Sequence, residues 1–143
     1  MINEKIELNG THLMLDCFGC EKKVLNSEDD IKKFLFELPG ILGMKRLIEP
    51  YIIRYDGGET WDKGGITGFM LIAESHISIH TFPSDGFFTA DVYSCKPFDV
   101  QKAVDVFKKT FDAKSEKIKV VKRDIEVVRE KNLAALSVSN DKK

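Results

Sequence analysis

The chain has 143 residues, 22 basic and 23 acidic, for a formal net charge of -1, and 43% of it is hydrophobic. That is enough to bury one sizeable core, and the balanced charge, without a dense basic stripe, gives no electrostatic case for nucleic acid, so no nucleic-acid partner is expected. No apolar run approaches the ~20 residues that span a bilayer, three cysteines argue against a disulfide framework, and MINEKIELNG lacks the apolar centre of a signal peptide, so a cytoplasmic protein is expected.

Residues 11–17 (THLMLDC) are strand-like and run into a Gly-containing turn at Phe18-Gly19-Cys20. Ser27 then caps a predicted helix, with Asp30 at its third position. Ile31, Phe34, Leu35 and Leu38 form its apolar stripe, and Pro39-Gly40 is expected to end it. Residues 44–55 read as a second strand interrupted at Pro50. The stretch 56–65 holds four glycines and the only tryptophan, Trp61, and is a loop. Strands are predicted at 66–73, 76–82 and 87–95, the last two joined by the turn-forming Pro83-Ser84-Asp85-Gly86. Asp99 caps a second helix with the stripe Val100, Ala103, Val104, Phe107 and Phe111. A last, partly exposed strand is expected over 117–122, and the tail after about 132 is expected to fray.

The order β-α-β, three strands, then α-β implies an α+β fold: a two-layer α/β sandwich whose mostly antiparallel sheet carries two helices on one face. Phe69, Leu71 and Phe87 fall on the face those helices leave open. Two such sheets packed face to face would cover them, so a homodimer through the sheets is expected.

Chemistry concentrates in AESHISIHTFP, residues 73–83, which holds two of the three histidines. Period-two geometry puts His76, Ser78, His80 and Phe82 on one strand face, and it aligns Phe87, Thr89, Asp91, Tyr93 and Cys95 on the next strand. His76 and His80 lie about 13 Å apart at ~3.3 Å per residue, too far to share one metal ion, so no metal is expected. No Gly-x-Ser-x-Gly elbow surrounds Ser75, which argues against a hydrolase triad. Cys17 and Cys20 form Cys-x-x-Cys, but without a second pair, and with His12 as the one extra ligand nearby, they read as reduced structural thiols. Taken singly, Ser75 reads as a junction serine, Cys95 as a small buried hydrophobe and Trp61 as an interface plug.

Taken together, Gly65-Ile66-Thr67-Gly68, Glu74-Ser75-His76-Ile77-Ser78-Ile79-His80-Thr81 and the strand from Asp91 to Cys95 resemble the prokaryotic S-adenosylmethionine decarboxylases over roughly residues 11–123. The resemblance implies a proenzyme, or zymogen, that cuts itself between Glu74 and Ser75 into a β chain, 1–74, and an α chain, 75–143. Ser75 would attack the Glu74 carbonyl, and elimination and hydrolysis would leave a pyruvoyl group at the new N-terminus as the covalent cofactor. By the resemblance, that group would capture the substrate amine as a Schiff base and accept the electrons released with carbon dioxide.

By the same resemblance His80 removes the proton during elimination, Thr67 assists processing in a place where relatives usually have serine, and Cys95 reprotonates the substrate as general acid. Trp61 is implied to stack on the adenine from the neighbouring subunit. Asp85 is the candidate for a substrate-binding carboxylate, since Ser84 stands where many relatives have glutamate. The implied reaction supplies decarboxylated S-adenosylmethionine for polyamine (spermidine) synthesis. A pyruvoyl-dependent arginine or ornithine decarboxylase on the same fold, and a non-catalytic dimeric binding protein, are the alternatives.

Overall fold

A computed structural model describes residues 2–131, and the expected fraying after about 132 lies outside them. The elements are β1 (Ile2–Phe18), α1 (Lys22–Leu25), α2 (Glu28–Ile41), β2 (Tyr51–Tyr55), β3 (Gly65–Ile72), β4 (Ser75–Phe82), β5 (Phe87–Ser94), α3 (Val100–Phe111) and β6 (Ser115–Lys131), with a 3₁₀ turn at Pro83–Asp85 between β4 and β5. The strands form one sheet in the order β2-β3-β4-β5-β1-β6, and every neighbouring pair is antiparallel.

Both long helices start where the sequence places their caps. The Ser27 hydroxyl accepts the Asp30 amide at 3.2 Å, and the Asp99 carboxylate accepts the Lys102 amide at 3.0 Å, each satisfying a donor that the first turn leaves without a helical partner. Their stripes pack on one face of the sheet. Phe34 meets Phe107 edge-on at 4.8 Å between ring centroids, and Phe107 stacks at 5.7 Å from Phe88 of β5. Leu13, Leu15, Met70, Ile77, Ile79 and Val92 complete this core from the sheet side.

Four predicted elements change their bounds. The α2 helix continues through Pro39 to Ile41: in a last turn proline removes only its own donor, and its carbonyl is still used, by the Met44 amide at 2.8 Å. The expected strand over 44–55 shrinks to β2, preceded only by an isolated bridge from Arg46 to Ile72. The first and last strands are much longer than read, because residues 2–9 pair with 124–131 as a two-stranded extension of β1 and β6. The four-residue α1, unpredicted, buries Leu25 in the core.

The opposite face of the sheet is open. Phe69 (37% exposed), Leu71 (41%), Tyr51 (54%) and Ile53 (49%) lie on it, as the alternation predicts, and Phe87 is half-buried there, stacked on Phe82 at 4.4 Å.

Candidate active site

The β3–β4 hairpin carries the bond between Glu74 and Ser75. Ile72 pairs with Ser75, so the turn consists of two residues, Ala73 and Glu74. Two-residue hairpins favour turns with positive φ, built from Asn and Gly, because these match the strand twist. Here neither turn residue has positive φ, and the deviation falls on Ser75, whose φ is +151°. A residue with a Cβ rarely occupies that region, at a cost of about 1–3 kcal/mol. Backbone strain is thus centred on the serine of the motif.

The Glu74 carbonyl oxygen accepts the Cys95 amide at 2.7 Å. Cys95 follows directly on β5, and Ser94, its last residue, is the register partner of Ser75. A donor on that oxygen polarises the carbonyl and stabilises the oxyanion formed when a hydroxyl attacks it. The Glu74 side chain is also fixed: it is 7% exposed, and its carboxylate accepts the Lys45 amide at 2.8 and 3.5 Å.

A second group of motif residues sits further along the same hairpin. Thr67 and His80 are register partners, and Thr67 Oγ1 lies 3.2 Å from His80 Nδ1. The glycines around Thr67 make room for this. A Cβ on Gly65 would run into the Thr81 carbonyl, and one on Gly68 would meet Leu35 and Ile52 at 2.8 and 2.7 Å. Beside the pair opens a cavity of about 360 Å³ whose walls include Tyr55, Trp61, Thr67, His80, Phe82 and Thr89, a volume in the range of small-molecule sites. Trp61 is 70% exposed at its rim. Asp85 is outside the lining and faces Lys63 of the glycine-rich loop at 3.9 Å.

The structure therefore brings Glu74, Ser75 and Cys95 together, and separately Thr67, His80 and Trp61, but it does not join the two groups within one chain. Five residue steps along the strand separate Ser75 from His80, about 16 Å at ~3.3 Å each. The two backbone donors, from Cys95 and Lys45, are the functional groups sequence reasoning missed; an amide has no residue-type signature.

The remaining candidates resolve by face. His12 is on the open face, its Nε2 2.8 Å from Asp91 Oδ1, whereas Cys17 is fully buried on the helix side, so His12 cannot join the cysteines. His76 is exposed, its ring 5.6 Å from that of Tyr93. Burial is the main cause that pushes the Cys17 thiol up to about 12, with Cys20 adding to it; burial, then Asp112, pushes Cys20 up to about 11. Both are free thiols, and among the described residues no group of three or more His, Cys, Asp or Glu side chains is placed to hold a metal ion. Among those residues, too, no helix is long and apolar enough to cross a membrane.

The chain has known relatives. A model of the family described as S-adenosylmethionine decarboxylase matches residues 11–124. The chain is 32% identical over 123 residues to a S-adenosylmethionine decarboxylase proenzyme of Thermococcus kodakarensis, covering 85% of this chain and 81% of the relative. It is 31% identical over 119 residues to one of Clostridium botulinum, covering 82% and 97%. The crystal structure of an adenosylmethionine decarboxylase from Aquifex aeolicus superposes with a TM-score of 0.69 at 28% identity, over 87% of this chain and 98% of that one. With the motifs, the sheet and the matched length in agreement, the chain belongs to the S-adenosylmethionine decarboxylase family.

Proposed function

We propose that the chain is a single-domain, cytoplasmic S-adenosylmethionine decarboxylase proenzyme that cuts itself between Glu74 and Ser75 and works as a homodimer. The observation that carries the reading is the state of that bond: a strained serine follows it, at φ +151°, and the Cys95 amide lies 2.7 Å from its carbonyl oxygen. Attack by Ser75 Oγ forms an ester and breaks the C–N bond, with the hydroxyl proton ending on the freed nitrogen. Removal of the Ser75 α-proton then expels the Glu74 carboxylate, and water replaces the nitrogen, which leaves as ammonia. The product is a pyruvoyl group at residue 75, whose carbonyl supplies the electron sink that decarboxylation of an α-amino acid needs.

The separation of the two residue groups gives the dimer its role. His80 takes the α-proton and Thr67 orients its ring, but from about 16 Å along their own strand neither reaches Ser75. We infer that a second copy, packed open face to open face so that Phe69 and Leu71 are buried, supplies the His80 and Thr67 that act on Ser75. Trp61 of that copy would stack on the adenine, and Asp85, which faces Lys63, would supply a substrate-binding carboxylate. Cys95 stays with Ser75 and returns a proton to the substrate carbon. The S-adenosylmethionine names of the relatives support this substrate over arginine or ornithine, and the decarboxylated product would serve polyamine (spermidine) synthesis.

Intact-mass analysis tests the reading. Wild type should give two fragments split before Ser75, the second ending in a pyruvoyl group, and Ser75→Ala should stay whole; a permanently uncut wild-type chain refutes self-processing and favours a binding protein. Co-refolding Ser75→Ala with His80→Ala chains should restore cleavage, because a mixed dimer holds one complete site. Absence of restoration would show that the site lies within one chain. Carbon dioxide release measured on S-adenosylmethionine, arginine and ornithine decides the substrate.

A further inference from the structure

Among the described residues Glu74 is the only carboxylate or basic side chain that is buried. Burying a charge is costly unless something specific holds it, and what holds this one is the backbone amide of Lys45. The contact belongs to a short ladder. The Ala73 amide donates to the Lys45 carbonyl at 2.8 Å, the Leu47 amide donates to the Leu71 carbonyl at 3.0 Å, and Arg46 bridges to Ile72. Residues 45–47 thus run beside 71–74 on the side opposite β4. They grip the outside of the hairpin turn whose inner carbonyl rests on Cys95.

That turn needs a grip. Its residues, Ala73 and Glu74, have none of the Asn or Gly character that sets a two-residue hairpin, and Ser75 is displaced to φ +151°. Left alone, the turn would relax, and the Glu74 carbonyl would be free to leave the Cys95 amide. We propose that the Glu74 side chain is a positioning group for self-cleavage: anchored on the Lys45 amide, it keeps the turn strained and its own carbonyl on the Cys95 amide while the serine attacks. The first step is the one affected: the bond from Ser75 Oγ to the Glu74 carbonyl carbon forms, the C–N bond breaks, and the hydroxyl proton passes to the Ser75 nitrogen. After the cut the same contact retains Glu74, now a chain terminus, at the site. This inference rests on the self-cleavage reading and assigns within it a role to a side chain rather than to the bond.

The test is the cleavage rate of full-length chains purified uncut, followed by intact mass, for wild type, Glu74→Gln and Glu74→Ala. Gln keeps an acceptor oxygen for the Lys45 amide, and Ala does not. Cleavage of Glu74→Ala should slow at least tenfold and that of Glu74→Gln by less than threefold. Hydroxylamine, which splits an ester but not an amide, should release fragments from wild type and Gln chains early in the reaction and far fewer from the Ala chain; a merely structural loss would lower the melting temperature without that selective loss of ester.

Lys45→Pro, which deletes the donor, should slow cleavage as Glu74→Ala does, and the double variant should be no slower than either single one. If wild type never cuts, the self-cleavage reading fails. If wild type cuts and Glu74→Ala keeps pace within threefold, or Ala and Gln slow equally, or the Pro and Ala effects add, the self-cleavage reading stands and the positioning role is overturned.

Discussion

The strain at Ser75 makes a stability prediction whose sign is opposite to the usual one. Ser75→Ala and Ser75→Gly both lack the hydroxyl, so both chains stay whole and can be compared without processing. Within a strand, Gly is ordinarily about 0.5–1 kcal/mol less stable than Ala, because it loses more backbone freedom on folding. At φ +151° the comparison changes, since Ala keeps the Cβ that makes this region unfavourable and Gly does not. Taking the strain near the middle of its range, about 2 kcal/mol, and the glycine cost near 1 kcal/mol, Ser75→Gly should be more stable than Ser75→Ala by about 1 kcal/mol. For a chain of this size that is a rise in melting temperature of roughly 2–4 °C. The assay is thermal and urea unfolding of both variants at equal protein concentration, because an oligomer's apparent stability depends on concentration. Should Ser75→Gly melt below Ser75→Ala by the ordinary glycine penalty, Ser75 carries no strain, and the turn does not load the bond between Glu74 and Ser75.

The other side chains give their own tests. Thr67→Ala removes the 3.2 Å contact with His80 and should slow cleavage roughly three- to tenfold, about the worth of one hydrogen bond, while Thr67→Ser should restore it; an unchanged rate in Thr67→Ala removes the hydroxyl from processing. Trp61 is 70% exposed, so Trp61→Ala should leave the melting temperature in place and raise KM for S-adenosylmethionine up to about tenfold, the scale of one aromatic contact; an unchanged KM rules out stacking. Cys17 and Cys20 are raised from 9.0 to about 12 and about 11, so at pH 8 a thiol reagent should titrate the half-exposed Cys95 alone in the native chain and all three after denaturation. The sign follows by linkage: the unfolded chain releases these thiol protons above about pH 9 while the folded one keeps them, so their contribution to stability is complete below that pH and is lost as pH rises towards 11–12. Denaturant midpoints at pH 8 and 10.5 should show the fall, and a Cys17→Ala/Cys20→Ala chain should show less of it.

What the sequence made legible, and what it hid, divides along side chain and backbone. Ser27 and Asp99 marked both long helices because a cap is a side-chain act, and the alternation of β3, β4 and β5 correctly sent Phe69 and Leu71 to the open face. The extension of β1 and β6 escaped because neither half has a core to face; only its pairing, Ile6 with Val127 and Leu8 with Ile125, makes either one a strand. At the site the residue types were readable, yet the amides of Cys95 and Lys45 were not, since every residue but proline has one. The division of the motif between Ser75 and His80 was present in the strand period from the start, because five residues of strand cannot close on themselves. The anomaly at the turn was not, because the predicted strands 66–73 and 76–82 left Glu74-Ser75 as the turn, one residue away from where the pairing of Ile72 with Ser75 puts it. Placing the hairpin between Ile72 and Ser75 leaves Ala-Glu where strand twist asks for Asn-Gly, and a local choice that contradicts the surrounding geometry marks a place shaped for something other than stability. Here it falls on the peptide bond at which we propose that the chain cuts itself.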